Sequence, residues 1–228
     1  MEHGEDFDEA KAYCEELARE AHQDGRHQFQ EGLQAHTSPL YVHSANEPRL
    51  IAGVGTYALE VFEDLPDPDV ILVPVGLGSG VCGTCLVAKR RSPSTRVFGV
   101  QASGAPAVTE SWRTGTIVAS ETIQTHAEGL ATRMPAELTL DIMRRYVDDM
   151  LLVDDTELDT AIRLLLEVTH NLAEGAGAAA TAAAFKIRSR LRGLKVVSVL
   201  SGGNLDLRRL RTVLTMPRPV VPDERVTA

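Results

Sequence analysis

Two glycine-rich turns contain the residues of this sequence that are best suited to chemistry. Residues 76–80 (Gly-Leu-Gly-Ser-Gly) directly follow the apolar run 70–75, and residues 201–204 (Ser-Gly-Gly-Asn) follow the apolar run 195–200. Backbone amides in such a turn, helped by the dipole of a following helix, hold a phosphate group without a basic side chain. The two turns together predict a phosphate-binding site, with the alternative that each is only a tight turn.

The first turn also fits part of a dinucleotide fingerprint. Gly78, Gly80 and Gly83 have the spacing Gly-x-Gly-x-x-Gly. That fingerprint requires in addition an acidic residue about 20 positions further on, at the end of the next strand. This sequence has Gln101 there, and it contains no Gly-Lys-Ser or Gly-Lys-Thr for a nucleoside triphosphate. The pattern therefore favours another phosphate ligand, and a dinucleotide-dependent oxidoreductase remains an alternative.

A pair of cysteines, Cys82 and Cys85, follows the first turn. Two thiols with this spacing at a helix N-terminus can form a redox pair, because the helix dipole lowers a thiol pKa. The alternative is that both are small residues packed in the first turns of a helix, and the absence of a flanking aromatic residue favours it. A structural zinc site needs four ligands, and no second pair is spaced to complete one. His126 is interpreted as a loop residue rather than a catalyst.

Buried strands and intervening helices must position these residues. The runs 70–75, 96–100 and 195–200 are typical of strands buried on both faces of a parallel sheet. Strand 70–75 is followed by a turn, a helix and strand 96–100, which is the pattern of a parallel α/β sheet. A short strand is predicted at 40–42 and a loop at 24–39. The stretch from about residue 101 to about residue 150 is less regular. Predicted helices cover residues 7–21, 53–64 (with Thr56 as a cap), 81–91, 154–172 (opened by an Asp154–Glu157 capping box), 174–191 and 206–214.

Five motifs in order resemble one known family. They are Ile-Ala-Gly-Val-Gly-Thr at 51–56, Val-Pro-Val-Gly-Leu-Gly-Ser-Gly at 73–80, Thr-His-Ala-Glu-Gly at 125–129, Glu-Gly-Ala-Gly-Ala at 174–178 and Ser-Gly-Gly-Asn at 201–204. Their order and spacing resemble the fold-type-II pyridoxal-phosphate (PLP) enzymes, specifically the threonine dehydratase and serine racemase group. The resemblance extends over residues 7–214. It implies a tryptophan synthase beta-like fold, with the remainder of a small domain at 1–50, a large PLP-binding domain at 51–216 and a flexible tail at 217–228.

The resemblance also implies a role for each site residue. The cofactor phosphate would be bound by the backbone amides of Gly76, Leu77, Gly78, Ser79 and Gly80. Ser201 would share a hydrogen bond with the pyridine nitrogen, Gly129 would lie beside the ring, and Glu174 would lie close behind it. A serine, unlike an aspartate, does not force the ring nitrogen to be protonated, which favours β-elimination over transamination. The alternative for Glu174 is an acid placed at a helix N-terminus by the dipole.

The sequence also departs from the family. The Schiff-base lysine of these enzymes lies in a Ser-x-Lys-x-Arg-Gly segment, and none of Lys11, Lys89, Lys186 and Lys195 has that context. The resemblance therefore implies an N-terminally truncated chain without a catalytic lysine of its own. Leu77 and Ser79 interrupt the glycine run of the phosphate loop, and Val54 replaces a glutamine. Gln101 stands where relatives with a divalent-cation site have a glutamate, so no metal site is predicted.

The family implies a function in amino-acid metabolism. With PLP and a small amino-acid substrate, such an enzyme deaminates L-threonine or L-serine to a 2-oxo acid and ammonia, commonly as a homodimer. A non-catalytic protein that binds PLP or another phosphate ligand, without forming a Schiff base, is the alternative from a different class. Sequencing the DNA upstream of Met1 would distinguish the two, because a coding segment for the lysine motif favours the enzyme.

Composition excludes several other classes. The formal net charge of −9 would repel nucleic acid and anionic membranes. No apolar run approaches the roughly 20 residues that a membrane-spanning helix needs. The odd number of cysteines, Cys14, Cys82 and Cys85, has no disulfide-framework spacing and favours a reducing cytoplasm.

Overall fold

The structure is a computed structural model that describes Gly4, residues 7–23 and residues 41–217. The predicted loop at 24–39 and the predicted tail from residue 218 onward lie outside the described residues. The described strands are β1 (Val70–Pro74), β2 (Arg96–Ala102), β3 (Asp149–Val153) and β4 (Val196–Ser198). The described α-helices are α1 (Phe7–Gln23), α2 (Pro48–Val54), α3 (Thr56–Asp64), α4 (Ser79–Arg91), α5 (Ala107–Thr114), α6 (Glu137–Tyr146), α7 (Asp155–Thr169), α8 (Gly175–Lys186), α9 (Arg188–Leu191) and α10 (Leu207–Thr215).

The four described strands form one parallel sheet in the order β3-β2-β1-β4. In the centre of the sheet Leu72 pairs with Phe98 on one side and with Ser198 on the other. The continuous apolar run of β1 is explained by its position, because both of its faces are covered by helices. The predicted α/β class, a parallel sheet flanked by helices, is confirmed.

The two faces of the sheet carry separate hydrophobic cores. Val70 and Leu72 of β1 point to the core formed with α7 and α8. Ile71 and Val73, which alternate with them, point to the core formed with α2, α4 and α6. The period-2 alternation of a strand thus divides one apolar run between two helical layers.

The alanine-rich helix α8 lies close to the sheet because its buried face is made of small side chains. Its residues from Gly175 to Ala180 are buried, and it packs against both β1 and α7. The capping box predicted at Asp154 and Glu157 opens α7, with each side chain bonded to the other residue's amide at 2.8 Å. These two helices place the N-terminus of α8 at the edge of the sheet where β1 and β4 end.

Three local predictions were wrong in detail. The helix predicted from residue 53 is preceded by α2, which starts at Pro48, and Gly55 separates α2 from α3. Thr56 does not cap α3; its hydroxyl donates to the carbonyl of Gly53 instead, at 2.7 Å. The predicted domain boundary between residues 50 and 51 falls inside α2, and the division into domains stays a prediction. Tyr41 and Val42 form no strand.

Elements of the C-terminal half also differ from the predictions. Strand β3 begins at the end of the stretch that was predicted to be less regular, and it was not predicted as a strand. The helix predicted over 174–191 is interrupted at Ile187, which ends α8 and precedes α9. Strand β4 is shorter than predicted and half-buried, because it is the outermost described strand of the sheet on that side.

Candidate functional site

The two glycine-rich turns lie at the same edge of the sheet. Residues 76–80 follow β1, and residues 201–204 follow β4, its parallel neighbour. Main-chain pairing continues past both strands: the amide of Val75 donates to Val100 at 2.7 Å, and that of Val199 donates to Leu72 at 3.1 Å. Ligands of parallel α/β sheets bind beyond the carboxyl ends of the strands, which is where both turns emerge.

The first turn presents a row of backbone amides. Within the described part of the chain, the amides of residues 76–80 donate no hydrogen bond. Gly78 has φ of +97°, a left-handed conformation that favours glycine, and it is the residue before α4. Four or five uncommitted N–H groups at a helix N-terminus are the donor set that a phosphate monoester requires.

The carbonyl side of the same turn is fixed by neighbouring residues. The hydroxyl of Thr139 donates to the carbonyl of Leu77, and that of Thr132 donates to Gly76 at 3.5 Å. Gly76 has no room for a side chain, because a Cβ there would lie 2.4 Å from the carbonyl oxygen of Gly129. With the carbonyls held on one side, the amides of the turn face the other.

The second turn interlocks with the N-terminus of α8. The amide of Glu174 donates to the carbonyl of Gly202 at 3.1 Å. A Cβ on Gly202 would lie 2.3 Å from Oε1 of Glu174, and a Cβ on Gly177 would lie 2.1 Å from the oxygen of Gly202. Glycine at 177 and 202 therefore lets the turn rest directly on α8, which sets the position of Ser201.

One cavity of about 380 Å³ joins these elements. Its volume is within the range of small-ligand sites, roughly 300–1,000 Å³. The structure brings together all eight site residues that were predicted, since each of them lines this cavity: Gly76, Leu77, Gly78, Ser79, Gly80, Gly129, Glu174 and Ser201. Their role in binding a cofactor stays a prediction.

Sequence reasoning missed several lining residues. Phe7 of α1, Ser44 and Thr132 also line the cavity, and none of them was proposed as a site residue. They come from three separated segments and belong to no recognisable motif. Glu128 precedes Gly129 within a predicted motif, which was the one available signal for a further acid at this site.

The electrostatics of the cavity come from the backbone and from two acids. Among the described residues that line the cavity there is no lysine, arginine or histidine. The N-termini of α4 and α8 both open onto the cavity, at Gly78 and Glu174, and each contributes a partial positive charge. The carboxylate of Glu174 makes no capping hydrogen bond, so it is not required to complete α8. The site thus suits an anionic group at the loop and a polar group near Ser201.

The four lysines lie elsewhere in the structure. Lys89 binds the Asp148 carboxylate at 3.0 Å, Lys186 binds Glu157 at 2.9 Å, and Lys195 donates to the carbonyl of Pro66 at 3.2 Å. Lys11 lies in α1. The pKa of His43 is lowered mainly by burial and secondly by the positive charge of Lys11. No lysine lines the cavity.

The cysteine pair lies on the buried face of α4 and does not line the cavity. Cys82 and Cys85 are fully buried, and their thiols donate to the carbonyls of Thr139 at 3.3 Å and Tyr146 at 3.5 Å. Burial raises the pKa of both thiols, that of Cys85 to about 12. A redox thiol requires a lowered pKa and access to solvent. The structure favours the packing interpretation.

Gln101 and His126 are both held by neighbouring polar groups. The carbonyl oxygen of the Gln101 side chain accepts from the amide and the hydroxyl of Thr109, at 2.9 and 2.8 Å. Gln101 is fully buried and so is not placed to bind a ribose. His126 lies 3.2 Å from the carboxylate of Asp159, outside the cavity lining. No group of three metal-ligating side chains is found among the described residues.

The described helices include none that is both long and apolar enough to cross a bilayer.

A family model described as "Pyridoxal-phosphate dependent enzyme" matches residues 1–202. An L-threonine ammonia-lyase of Thermotoga maritima is 39% identical over 182 residues, which are 80% of this chain and 45% of that protein.

Solved structures of related enzymes have a similar fold. The processed form of threonine deaminase isoform 2 from Solanum lycopersicum superposes with a TM-score of 0.81 at 28% identity, over 94% of this chain and 55% of the other. Maize serine racemase gives a TM-score of 0.70 at 32% identity, over 76% and 55% of the two chains. The chain spans about half the length of the curated relatives it matches.

Proposed function

The chain belongs to the pyridoxal-phosphate dependent enzyme family, and from this premise we propose that its cavity binds PLP for the deamination of L-threonine or L-serine to a 2-oxo acid and ammonia. The observation that carries the proposal is the meeting of two turns, residues 76–80 and residues 201–204, in one cavity. Each turn ends a parallel strand, and the two strands are neighbours.

The residues present fit the cofactor. The uncommitted amides of residues 76–80 match a phosphate, and the N-terminus of α4 adds its dipole. Ser201 offers a neutral hydroxyl that can either donate a hydrogen bond to the pyridine nitrogen or accept one from it. The hydroxyl therefore does not require the ring nitrogen to be protonated. A Cβ on Gly129 would lie 2.8 Å from the Cβ of Ala176, so glycine lets this segment approach α8 at the side of the cavity. Bound PLP would supply an electron sink for negative charge at the substrate Cα.

The two carboxylates of the cavity, those of Glu174 and Glu128, are proposed to act on the substrate rather than on the phosphate. Glu174 lies next to the Ser201 turn, and Glu128 lies on the segment that carries Gly129. Carboxylates at these positions can hold a proton or orient the amino group of a substrate. Neither competes with the phosphate, because the amides of residues 76–80 form the anion-binding part of the cavity.

We propose that the lysine used by the family is not among the four of this chain. Lys89, Lys186 and Lys195 are engaged with groups outside the cavity, and Lys11 lies in α1. The chain alone then binds PLP reversibly and forms no covalent bond with it. A non-catalytic PLP-binding protein has the same lysine arrangement and is the second candidate for that reason.

The substrate class is taken from the relatives. Proteins named L-threonine ammonia-lyase, threonine deaminase and serine racemase all act on small hydroxylated amino acids, as their names state. We extend that substrate class to this chain, together with a cytoplasmic location and a homodimeric assembly. The lining residues Ser44 and Thr132 provide hydroxyl groups of the kind that recognise such a substrate.

Ligand binding tests the cofactor assignment. The chain is titrated with PLP, with pyridoxal, which lacks the phosphate, and with NADH. PLP is expected to bind at least about tenfold more tightly than pyridoxal, because charge-assisted hydrogen bonds to the phosphate are lost in the latter. Borohydride treatment followed by mass spectrometry is expected to show no covalent adduct. Tight NADH binding without PLP binding would contradict the cofactor, and a reduced adduct on any lysine would contradict the lysine assignment.

The stable reduced conjugates of PLP with amino acids test the substrate class. Conjugates of L-threonine and L-serine are expected to bind more tightly than the matched conjugates of L-glutamate and L-phenylalanine. Equal affinity for all four would support a PLP-binding protein without this specificity. Because these conjugates need no lysine, the test applies to the chain as it exists.

A further inference from the structure

We propose that the Thr125 hydroxyl and the Asp155 carboxylate form a clamp that positions Glu128 and Gly129 for the ring of the bound cofactor. The described residues that line the PLP cavity include Glu128 and Gly129 and neither residue of the clamp. Thr125 and Asp155 are therefore positioning residues, which act through the segment 125–129. The inference rests on the proposed function, because the ring that this segment meets is that of PLP.

Asp155 binds the segment through both of its carboxylate oxygens. Oδ1 accepts a hydrogen bond from the hydroxyl of Thr125 at 2.6 Å, and Oδ2 accepts one from the amide of His126 at 3.1 Å. The Thr125 hydroxyl in turn accepts the amide of Ala127 at 3.2 Å. Asp155 is the first residue of α7, where the helix dipole favours a negative charge. Hydrogen bonds to a carboxylate are roughly twice as strong as those between neutral groups.

A second acid on the same face of α7 adjoins the segment. Asp159 lies one helical turn after Asp155, and Arg209 of α10 fixes its carboxylate through two hydrogen bonds. Oδ1 of Asp159 lies 3.2 Å from the buried Nε2 atom of His126. Within the described residues Nε2 forms no hydrogen bond, so this contact is electrostatic. The hydrogen-bonded anchor of the segment is therefore the pair of Thr125 and Asp155.

The opposite side of the segment rests on the N-terminus of α8. A Cβ on Gly175 would lie 2.9 Å from the Cβ of Ala127, and a Cβ on Gly129 would lie 2.8 Å from that of Ala176. A single 3-10 turn, Glu128–Leu130, follows directly after Ala127. Because the segment is closely packed between α7 and α8, a displacement at the clamp is transmitted to the two residues that line the cavity.

The phosphate turn has supports of its own. The carbonyl of Leu77 accepts the hydroxyl of Thr139 from α6. The turn also follows directly after β1, which has a neighbouring strand on each side. Loss of the clamp is therefore expected to affect the ring end of the cavity and to leave the phosphate end in place. A general loss of structure would weaken the binding of every ligand alike, so the two effects can be separated.

Three substitutions of threonine test the clamp. Thr125→Val removes the hydroxyl and keeps the shape of the side chain, whereas Thr125→Ser keeps the hydroxyl. Thr160→Val makes the same chemical change at an exposed position of α7, where the hydroxyl donates to the carbonyl of Thr156. Thr125→Val is expected to raise the Kd for PLP by on the order of tenfold, because a charge-assisted hydrogen bond is lost, and to leave the Kd for inorganic phosphate unchanged. Thr125→Ser and Thr160→Val are expected to bind both ligands as the wild type does.

Asp155→Asn tests the same clamp from its other side. The side-chain oxygen of asparagine still accepts the Thr125 hydroxyl, but its nitrogen cannot accept the amide of His126. The Kd for PLP is therefore expected to lie between the values of the wild type and of Thr125→Val. Asp155 is partly exposed, so this variant carries the test if Thr125→Val does not fold. In the unliganded Thr125→Val chain the amide resonance of Gly129 is expected to shift, which reports the displacement directly.

The possible results separate the clamp from the cofactor assignment. Wild-type PLP affinity in Thr125→Val, or in Asp155→Asn where the former does not fold, would overturn the clamp and leave the cofactor assignment standing. Equal losses of PLP and phosphate affinity would show a general structural role and would also overturn the clamp. A wild-type chain that binds no PLP would overturn the proposed function and the clamp together.

Discussion

The carbonyl oxygen of Gly202 rests on the Cα of Gly177, so closely that a Cβ at 177 would lie 2.1 Å from it. This contact connects the turn that carries Ser201 to helix α8. Gly177→Ala is expected to displace the turn, to cost about 1–3 kcal/mol of folding free energy and to weaken PLP binding. Thermal melts and PLP titrations measure the two effects.

Gly53→Ala is the matched control for that substitution. A Cβ on Gly53 meets no atom within 4 Å, and the residue lies in the last turn of α2. Alanine there is expected to leave PLP binding unchanged and to change stability by less than about 0.5 kcal/mol, since the substitution adds no contact near the end of the helix. If Gly177→Ala left both the melt and PLP affinity unchanged, Gly202 would not depend on this contact for its position.

A second pair of glycines separates backbone strain from phosphate binding. Gly78 and Gly115 both have positive φ, +97° and +78°, and only Gly78 lies at the cavity. Alanine at either position is expected to cost about 1–2 kcal/mol, because a Cβ disfavours the left-handed conformation. Only Gly78→Ala is expected to weaken binding of PLP and of inorganic phosphate. Equal losses of phosphate affinity in the two variants would contradict the loop assignment.

The thiols of the protein are expected to differ sharply in reactivity. Cys14 is exposed, whereas burial raises the pKa of Cys82 and Cys85 and keeps both thiols protonated at pH 8. Since the thiolate is the reactive form, a disulfide reagent at that pH should modify one thiol per native chain and three after denaturation. Rapid modification of the Cys82–Cys85 pair in the native protein would restore the redox interpretation.

An ion pair beneath α10 is expected to matter for stability. Arg209 binds the buried Asp159 carboxylate through two hydrogen bonds, at 3.0 and 2.6 Å, and the same carboxylate lies 3.2 Å from His126. Arg209→Gln removes one partner of a largely buried pair and should cost about 3 kcal/mol. Arg208→Gln, at the exposed neighbouring position, should change stability by less than about 0.5 kcal/mol. Similar melting temperatures for the two variants would show that the pair contributes little.

Local sequence patterns predicted the centre of the fold and the two glycine-rich turns, whereas Gly129 and Glu174 were named only because of the family resemblance. The apolar run of β1 and the glycines after it are signals carried by adjacent residues, and so is the capping box at Asp154. Strand β3 gave no such signal, because it begins at the charged Asp149 and is fixed by pairing with β2. The break at Ile187 follows the alanine-rich run, and no glycine or proline there marks the end of a helix, so the sequence predicted a continuous helix.

The cavity residues that the sequence did not predict were missed because their positions depend on contacts between distant segments. Phe7, Ser44 and Thr132 reach the cavity from segments far apart in the chain. The contacts between those segments are long-range: the Asp8 carboxylate accepts the Arg133 amide at 3.2 Å, and the Asn46 side chain accepts the Leu138 amide at 3.1 Å. Periodicity and motifs report on neighbours in sequence, so such residues become visible only when the fold is known.

Amide chemical shifts of the ¹⁵N-labelled chain during titration with PLP test the central claim most directly. PLP is expected to shift the resonances of residues 76–80 together with those of Gly129 and Ser201, with one common Kd. Inorganic phosphate should shift the resonances of residues 76–80 and leave Ser201 unchanged. Perturbation of the loop without Ser201, or of neither turn, on saturation with PLP would contradict the assignment of both turns to one cofactor.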